Sequence, residues 1–168
     1  LGEEGDLDLG ISSGGSGESK IILTFDLSEL PFPNAMTPTG ALLSLYRHNV
    51  TGTSSLTVSA HACDTFDEDN VTWNNNPSCL TSEITRSTLL VSPTNGWQIW
   101  DITSLAQSNI ANGNKTMSIM LQSVGTPNSG QSFFDNTHSD YRPKLVLDYV
   151  DNVDGVIPPA QPSLVYPG

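Results

Sequence analysis

The chain has few basic residues, and this scarcity excludes several classes of partner. Six Lys and Arg residues stand against 18 Asp and Glu in 168 residues, which gives a formal net charge of −12. The basic residues are isolated along the chain and form no stripe that could neutralise a phosphate backbone. We therefore expect no nucleic-acid partner, and the same negative charge would repel an anionic membrane surface.

Long apolar runs are also missing, since no stretch approaches the roughly 20 apolar residues that a membrane-spanning helix requires. We therefore expect no membrane insertion. The sequence shows no signal-peptide pattern and begins at Leu1, so we expect a mature product whose leader has been removed. Its 168 residues are enough for one well-buried core.

Residues that commonly carry catalysis or bind zinc are scarce. The three histidines, His48, His61 and His138, have no metal-ligand spacing to one another or to cysteine. The segment Gly10–Gly14 matches the sequence motif of a nucleophile elbow but not its structural context. A glycine-rich turn and another strand follow it, where the elbow requires a helix. We predict that the chain is not an enzyme and has no cofactor of its own.

Alternation of apolar and polar residues dominates the remaining pattern. Ile21, Leu23, Phe25 and Leu27 form one apolar face, which is typical of a half-buried strand. Many short strands separated by Gly-, Pro- and Asn-rich turns indicate a sandwich. We predict eight or nine strands, at about residues 6–12, 21–27, 40–47, 55–62, 87–91, 97–102, 116–123, 131–135 and 143–149.

One short helix fits residues Ser104–Ile110. Thr103 or Asp101 would cap its first turn, and Asn112-Gly113 would end it.

Five segments follow one family pattern in their order and spacing: Lys20–Pro31, Ala41–Tyr46, Val71–Pro77, Trp97–Thr103 and Arg142–Tyr149. Over about residues 6 to 150 they resemble DNRLRE-type domains, jelly-roll sandwiches of secreted and surface proteins that are related to a family of carbohydrate-binding modules. The resemblance implies an all-β, jelly-roll-like sandwich over residues 1–150 and no catalytic centre.

The chain departs from that pattern at both ends. Such domains usually open with a strand before the one at residues 6–12, and here five residues precede Asp6. Residues 151–168 form an extended Pro-rich tail with a short apolar patch, Leu164-Val165-Tyr166. A missing strand would leave backbone groups unpaired beside an apolar groove. Three interpretations stay open: strand exchange between copies, trimming within a larger protein, and a tail that folds back on its own sandwich.

The two cysteines and the sequons bear on the compartment. Cys63 and Cys79 bracket one loop, and a disulfide between them would close roughly 15 residues. The alternative is two free thiols in a cytosolic protein. Sequons at Asn49, Asn70 and Asn114, together with a Ser-, Thr- and Asn-rich composition, favour a secreted or cell-surface glycoprotein.

Candidate ligand-binding residues fall in two places. Asp64, Asp67 and Asp69 crowd one acidic loop, and closely spaced oxygen ligands suit calcium, although the spacing matches no EF-hand. Trp97 has the opposite parity to Trp100 in its strand, so we expect its ring to face solvent. Trp97 and Tyr141 are therefore candidates for stacking on a sugar.

We expect a non-catalytic extracellular structural or adhesive module, in the form of a self-assembling surface-filament subunit completed by strand exchange between copies. The alternative is a carbohydrate-binding module of a secreted polysaccharide-active protein, with a polysaccharide as its partner.

Overall fold

The computed structural model describes residues 6–10, 18–30, 36–66, 71–72, 74–125, 128–151 and 163–167. It confirms an all-β sandwich of two sheets with one short helix. The strands are β1 (Asp6–Gly10), β2 (Ile21–Asp26), β3 (Met36–Gly52), β4 (Leu56–Cys63), β5 (Thr85–Leu89), β6 (Gly96–Asp101), β7 (Thr116–Ser123), β8 (Ser129–Phe134), β9 (Lys144–Asp151) and β10 (Ser163–Val165).

The sheets divide the strands unequally. One sheet has six strands in the order β1-β8-β3-β9-β10, with β6 also pairing to β3, and the other has four in the order β2-β7-β4-β5. All of the strand pairs are antiparallel. Among the described helices, none is long and apolar enough to cross a membrane.

The core lies between the sheets and follows from the period-two pattern. In β3, Leu43 and Leu45 point inward and are fully buried, whereas Leu42, Ser44 and Tyr46 point outward. The predicted apolar face is also confirmed, because Ile21, Leu23 and Phe25 of β2 and the following Leu27 are all buried. Burial of these side chains is the main favourable term for the fold.

Two strands differ most from the prediction. Strand β3 runs for 17 residues, well past the predicted range 40–47 at both ends. The tenth strand, β10, comes from the tail and pairs with β9 of the same chain, with Leu164 opposite Val146. After it, Pro167 forms a bridge to Phe25 at the edge of the other sheet. The described part of the tail therefore folds back on its own sandwich, which was one of the three interpretations.

Helix α1 spans Thr103–Ala111 and confirms the predicted helix within one residue at each end. The carboxylate of Asp101 accepts hydrogen bonds from the amide and the hydroxyl of Thr103, at 3.0 and 2.6 Å. These bonds lower the pKa of Asp101 below its ordinary value. Gly113, with a φ of 69°, follows the end of the helix as the predicted stop.

The predicted disulfide is present. Cys63 and Cys79 are bonded, and the segment after Cys79 continues alongside β4, since Leu80 donates to the carbonyl of Ala62 at 2.8 Å. Beside this bond, the buried His61 donates from Nδ1 to the carbonyl of Leu80 at 3.0 Å, and its Nε2 lies 2.8 Å from the hydroxyl of Ser59 and 3.1 Å from the side-chain amide of Gln122. The disulfide and the histidine together hold Cys79 and Leu80 against β4.

We expect that replacing both cysteines by Ser lowers the free energy of unfolding by about 3 kcal/mol, because a closed loop of about 15 residues restricts the unfolded chain. Guanidinium unfolding of the double variant and the wild type measures this. Intact mass with and without reductant is the control, and two freely alkylated cysteines in the native protein would contradict the bond.

Candidate functional site

The candidate site lies on the outer face of the six-stranded sheet, at the point along one side of β3 where the partner strand changes from β9 to β8. Strand β8 pairs with β3 up to Arg47 opposite Phe133, and β9 takes over from Ser44 opposite Lys144. Strand β6 occupies the other side of β3 over residues 42–47, so β8 and β9 lie end to end on one side. Residues 135–143, which connect them, leave the sheet at this break.

Six rings gather around the break to form what we call the aromatic cluster. Tyr46 is at its centre: its ring stacks on Tyr141 with centroids 4.0 Å apart and meets Trp97 edge-on at 5.3 Å. Phe134 lies between two imidazoles, 4.3 Å from His48 and 4.0 Å from His138. The members of the aromatic cluster, all partly exposed, are Tyr46, His48, Trp97, Phe134, His138 and Tyr141.

The connection between β8 and β9 is held by its own hydrogen bonds. Asp135 accepts from the amide and the hydroxyl of Thr137 at 2.8 and 2.6 Å. The amides of Asp140 and Tyr141 both donate to Nδ1 of His138, each at 3.3 Å. These local bonds fix the conformation of the connection and so position Tyr141 over Tyr46.

Cationic groups lie at one side of the aromatic cluster. The Lys144 ammonium is 3.9 Å from the ring centroid of Trp97, a cation–π contact. Arg142 is exposed and donates from Nε to the carbonyl of His138 at 3.3 Å. At the other side, Nε2 of His48 lies 2.9 Å from a carboxylate oxygen of Asp6, although the contact does not have the geometry of a hydrogen bond. Two of the chain's six basic residues thus flank the rings.

A buried arginine supports the strand that carries Trp97. Arg47 is 1% exposed and points inward from β3. Its guanidinium donates to the carbonyls of Leu90, Pro93 and Thr94 and to the side chain of Gln131. Burial lowers the pKa of Arg47. These bonds hold the segment that enters β6, and therefore set the position of Trp97 beside Tyr46.

The structure brings the two predicted sugar-contacting residues together. Trp97 and Tyr141 have ring centroids 6.4 Å apart, although Trp97 is not a free platform because Lys144 covers part of its ring. Sequence reasoning missed the other four members of the aromatic cluster, Tyr46, His48, Phe134 and His138, as partners. Strand parity could have placed Tyr46 outward, since Leu45 beside it is inward. Parity does not predict that the connection between β8 and β9 folds over Tyr46.

The predicted calcium site cannot be assembled from the described residues. Asp64 is exposed, and its amide donates to the carbonyl of Ser78 at 2.9 Å. Asp67 and Asp69 lie outside the described residues, as does Trp73. Across the ranges that the structure describes, no three acidic, His or Cys side chains come together as metal ligands. Calcium binding stays a prediction.

The predicted glycosylation sites differ in their surroundings. Asn49 is exposed on β3, on the outer face of the six-stranded sheet. Asn114 is exposed in the turn after α1, where its side-chain amide donates to Asn109 at 3.1 Å. Asn70 lies outside the described residues.

A cleft of about 600 Å³ lies between the edges of β1 and β2. Its lining includes Asp8 and Glu18, and both carboxylates have hydrogen-bond partners: Ser132 donates to Asp8 and Ser123 to Glu18, each at 2.7 Å. Because these groups are already paired, the aromatic cluster is the stronger candidate for a binding site.

Comparison with known proteins assigns the chain to a family of binding modules. Residues 2–149 match the family model for carbohydrate-binding modules of family 96. The chain belongs to that family, which confirms the relation to carbohydrate-binding modules expected from the sequence. The assignment to DNRLRE-type domains in particular stays a prediction.

The chain is also similar to a gellan lyase from Bacillus sp. The two are 26% identical over 151 residues, which cover 89% of this chain and 6% of that protein. The chain therefore spans a small fraction of the length of this relative. The lyase activity is a property of that protein, whereas the family shared by this chain is one of non-catalytic binding modules.

We expect Arg47→Met to lower the free energy of unfolding by about 3 kcal/mol, because it leaves several buried hydrogen-bond acceptors without a donor. Denaturant unfolding measures the loss. Arg86→Met is the matched control, since Arg86 is exposed and pairs with Glu83 at the surface. Equal stability of the two variants would contradict the anchoring role of Arg47.

Proposed function

We propose that this chain binds a polysaccharide on the outer face of its six-stranded sheet, with the aromatic cluster as the contact surface. The observation that carries the proposal is the gathering of partly exposed rings on one sheet face in a member of a carbohydrate-binding family. Sugars present C–H groups that pack on aromatic rings, and their hydroxyls need polar partners at the edge. His48, His138 and Lys144 supply such partners.

The charges around the rings favour a polysaccharide that bears carboxylates. Arg142 and Lys144 stand beside Trp97 and Tyr141 in a chain whose net charge is −12. A carboxylate that approaches this side meets cations, in contrast to most of the protein surface. Gellan is the first ligand to test, because the similar protein from Bacillus is named for it.

We further infer a secreted setting. The disulfide between Cys63 and Cys79 is of the kind that persists in oxidising compartments. A polysaccharide ligand and a membership in carbohydrate-binding modules agree with that location.

The structural or adhesive role expected from the sequence has less support. Strand exchange as predicted would add a strand from a neighbouring copy beside β1, which is an edge strand of the six-stranded sheet in the described residues, whereas the described part of the tail pairs with β9 of its own chain. No observation on this chain favours a filament over a binding module.

We expect Trp97→Ala and Tyr141→Ala each to weaken polysaccharide binding by about tenfold, because each removes one ring from the contact surface. Affinity electrophoresis or calorimetry with gellan and a panel of acidic and neutral polysaccharides measures this. Leu80→Ala is the control, since Leu80 is 61% exposed and lies beside the four-stranded sheet.

Unfolding midpoints of the same variants would show that the sandwich is intact. Unchanged affinity in both ring variants would overturn the site.

We also expect the positive charge of Lys144 to contribute to the binding of an acidic polysaccharide. Lys144→Gln should weaken binding to an acidic polysaccharide several-fold, because it removes a cation beside the rings. The affinity of the variant should not depend more steeply on salt concentration than that of the wild type. Binding to a neutral polysaccharide should change little. Lys115→Gln is the control, since Lys115 is exposed in the turn before β7. If both variants lose affinity equally, the cation beside Trp97 has no specific role.

A further inference from the structure

One sequon lies on the same face as the aromatic cluster. The register of β3 against β8 shifts between Arg47 and Asn49, so His48 is an extra residue in a β-bulge. Asn49 is opposite Ser132, whose hydroxyl donates to the outward-facing Asp8. The bulge thus presents His48 and Asn49 side by side on the outer face, where His48 stacks on Phe134.

The Asn49 side chain is available for modification. It is exposed, and its carboxamide has no hydrogen-bond partner in the part of the chain that the structure describes. Thr51, the hydroxyl residue of the sequon, is two positions further along the strand, so it is on the same side of the sheet as Asn49. Its hydroxyl donates to the carbonyl of Gly130 at 3.2 Å.

Asn49 is also close to the rings. Phe134 is two residues from Ser132 on β8, which makes it a diagonal neighbour of Asn49 at about 7–8 Å between backbones. His48 is adjacent in the chain and stacks on the same Phe134. A sugar attached to the Asn49 amide would therefore begin at the edge of the aromatic cluster.

We propose that Asn49 carries an N-linked glycan whose first sugars lie on the aromatic cluster, so that the protein's own glycan competes with an external polysaccharide. The inference rests on the proposed function.

The glycan donor in the transfer to Asn49 is a polyprenyl diphosphate-linked oligosaccharide. A bond forms between Nδ2 of Asn49 and the anomeric carbon, the bond from that carbon to the phosphate oxygen breaks, the lipid diphosphate leaves, and the amide loses one proton.

The competition has a clear physical basis. A tethered sugar acts at an effective concentration of about millimolar, without the entropic loss that a free ligand suffers on binding. It would therefore displace polysaccharides that bind individually with weaker or comparable strength. The glycan would also shield Phe134 and His48 from solvent.

The test uses the full chain secreted from a host with an N-glycosylation pathway, compared with Asn49→Gln and with Asn114→Gln as the matched control. Asn114 is in a sequon too, but in the turn after α1 and outside the aromatic cluster. We expect intact mass to show one glycan fewer in Asn49→Gln. We also expect its affinity for gellan or another bound polysaccharide to rise by about tenfold, with no rise in Asn114→Gln.

A second pair of variants guards against a folding defect. Thr51→Val removes the sequon and keeps Asn49, and should match Asn49→Gln, whereas Thr51→Ser keeps the sequon and should match the wild type. An unchanged mass in Asn49→Gln overturns the modification and leaves the proposed function standing.

The remaining outcomes separate the two proposals. A lower mass with unchanged affinity, while Tyr141→Ala still weakens binding, overturns the competition alone. If neither Asn49→Gln nor protein made without glycosylation binds any polysaccharide, the proposed function fails and the competition fails with it, and the mass still decides whether Asn49 is modified.

Discussion

The pairing of β3 on both of its sides is the constraint on which the rest of the six-stranded sheet depends. Its 17 residues hold β9 and β8 in succession along one side and β6 along the other. Each backbone N–H and C=O in the buried part of such a strand must find a partner. The register of β3 therefore decides which side chains of three other strands face outward, and with them the composition of the aromatic cluster.

The two faces of β3 differ within a few residues: the inner face supplies buried core side chains and the outer face supplies a ring of the aromatic cluster. Leu43, Leu45 and Arg47 point into the sandwich, and Tyr46 lies between the last two on the outside. A buried cation surrounded by carbonyls fixes the segment before β6 from the inner side. This also fixes the position of the rings on the outer side, because Trp97 is the second residue of β6. The stability of the sandwich and the arrangement of the aromatic cluster are thus linked through neighbouring residues of one strand.

Much of the fold could be predicted from alternation alone, because burial on one face leaves a period of two in β2, β3 and β7. The disulfide and α1 were also within reach of sequence reasoning. Strand β10 was not, since three residues among prolines are too few to show a period. The aromatic cluster was predicted in part: parity places Trp97 outward, but the contact between Tyr46 and Tyr141 joins residues far apart in sequence. Such contacts depend on register, which a single sequence does not encode locally.

The end-to-end arrangement of β8 and β9 has a consequence for how this scaffold can diversify. Each strand is independently held by β3, so the length and composition of residues 135–143 are uncoupled from the register of the sheet. Loops of this kind tolerate insertion and replacement while the framework stays intact. The segment that carries His138 and Tyr141 is accordingly a position at which loops of different length and composition could replace the present one without redesign of the sandwich.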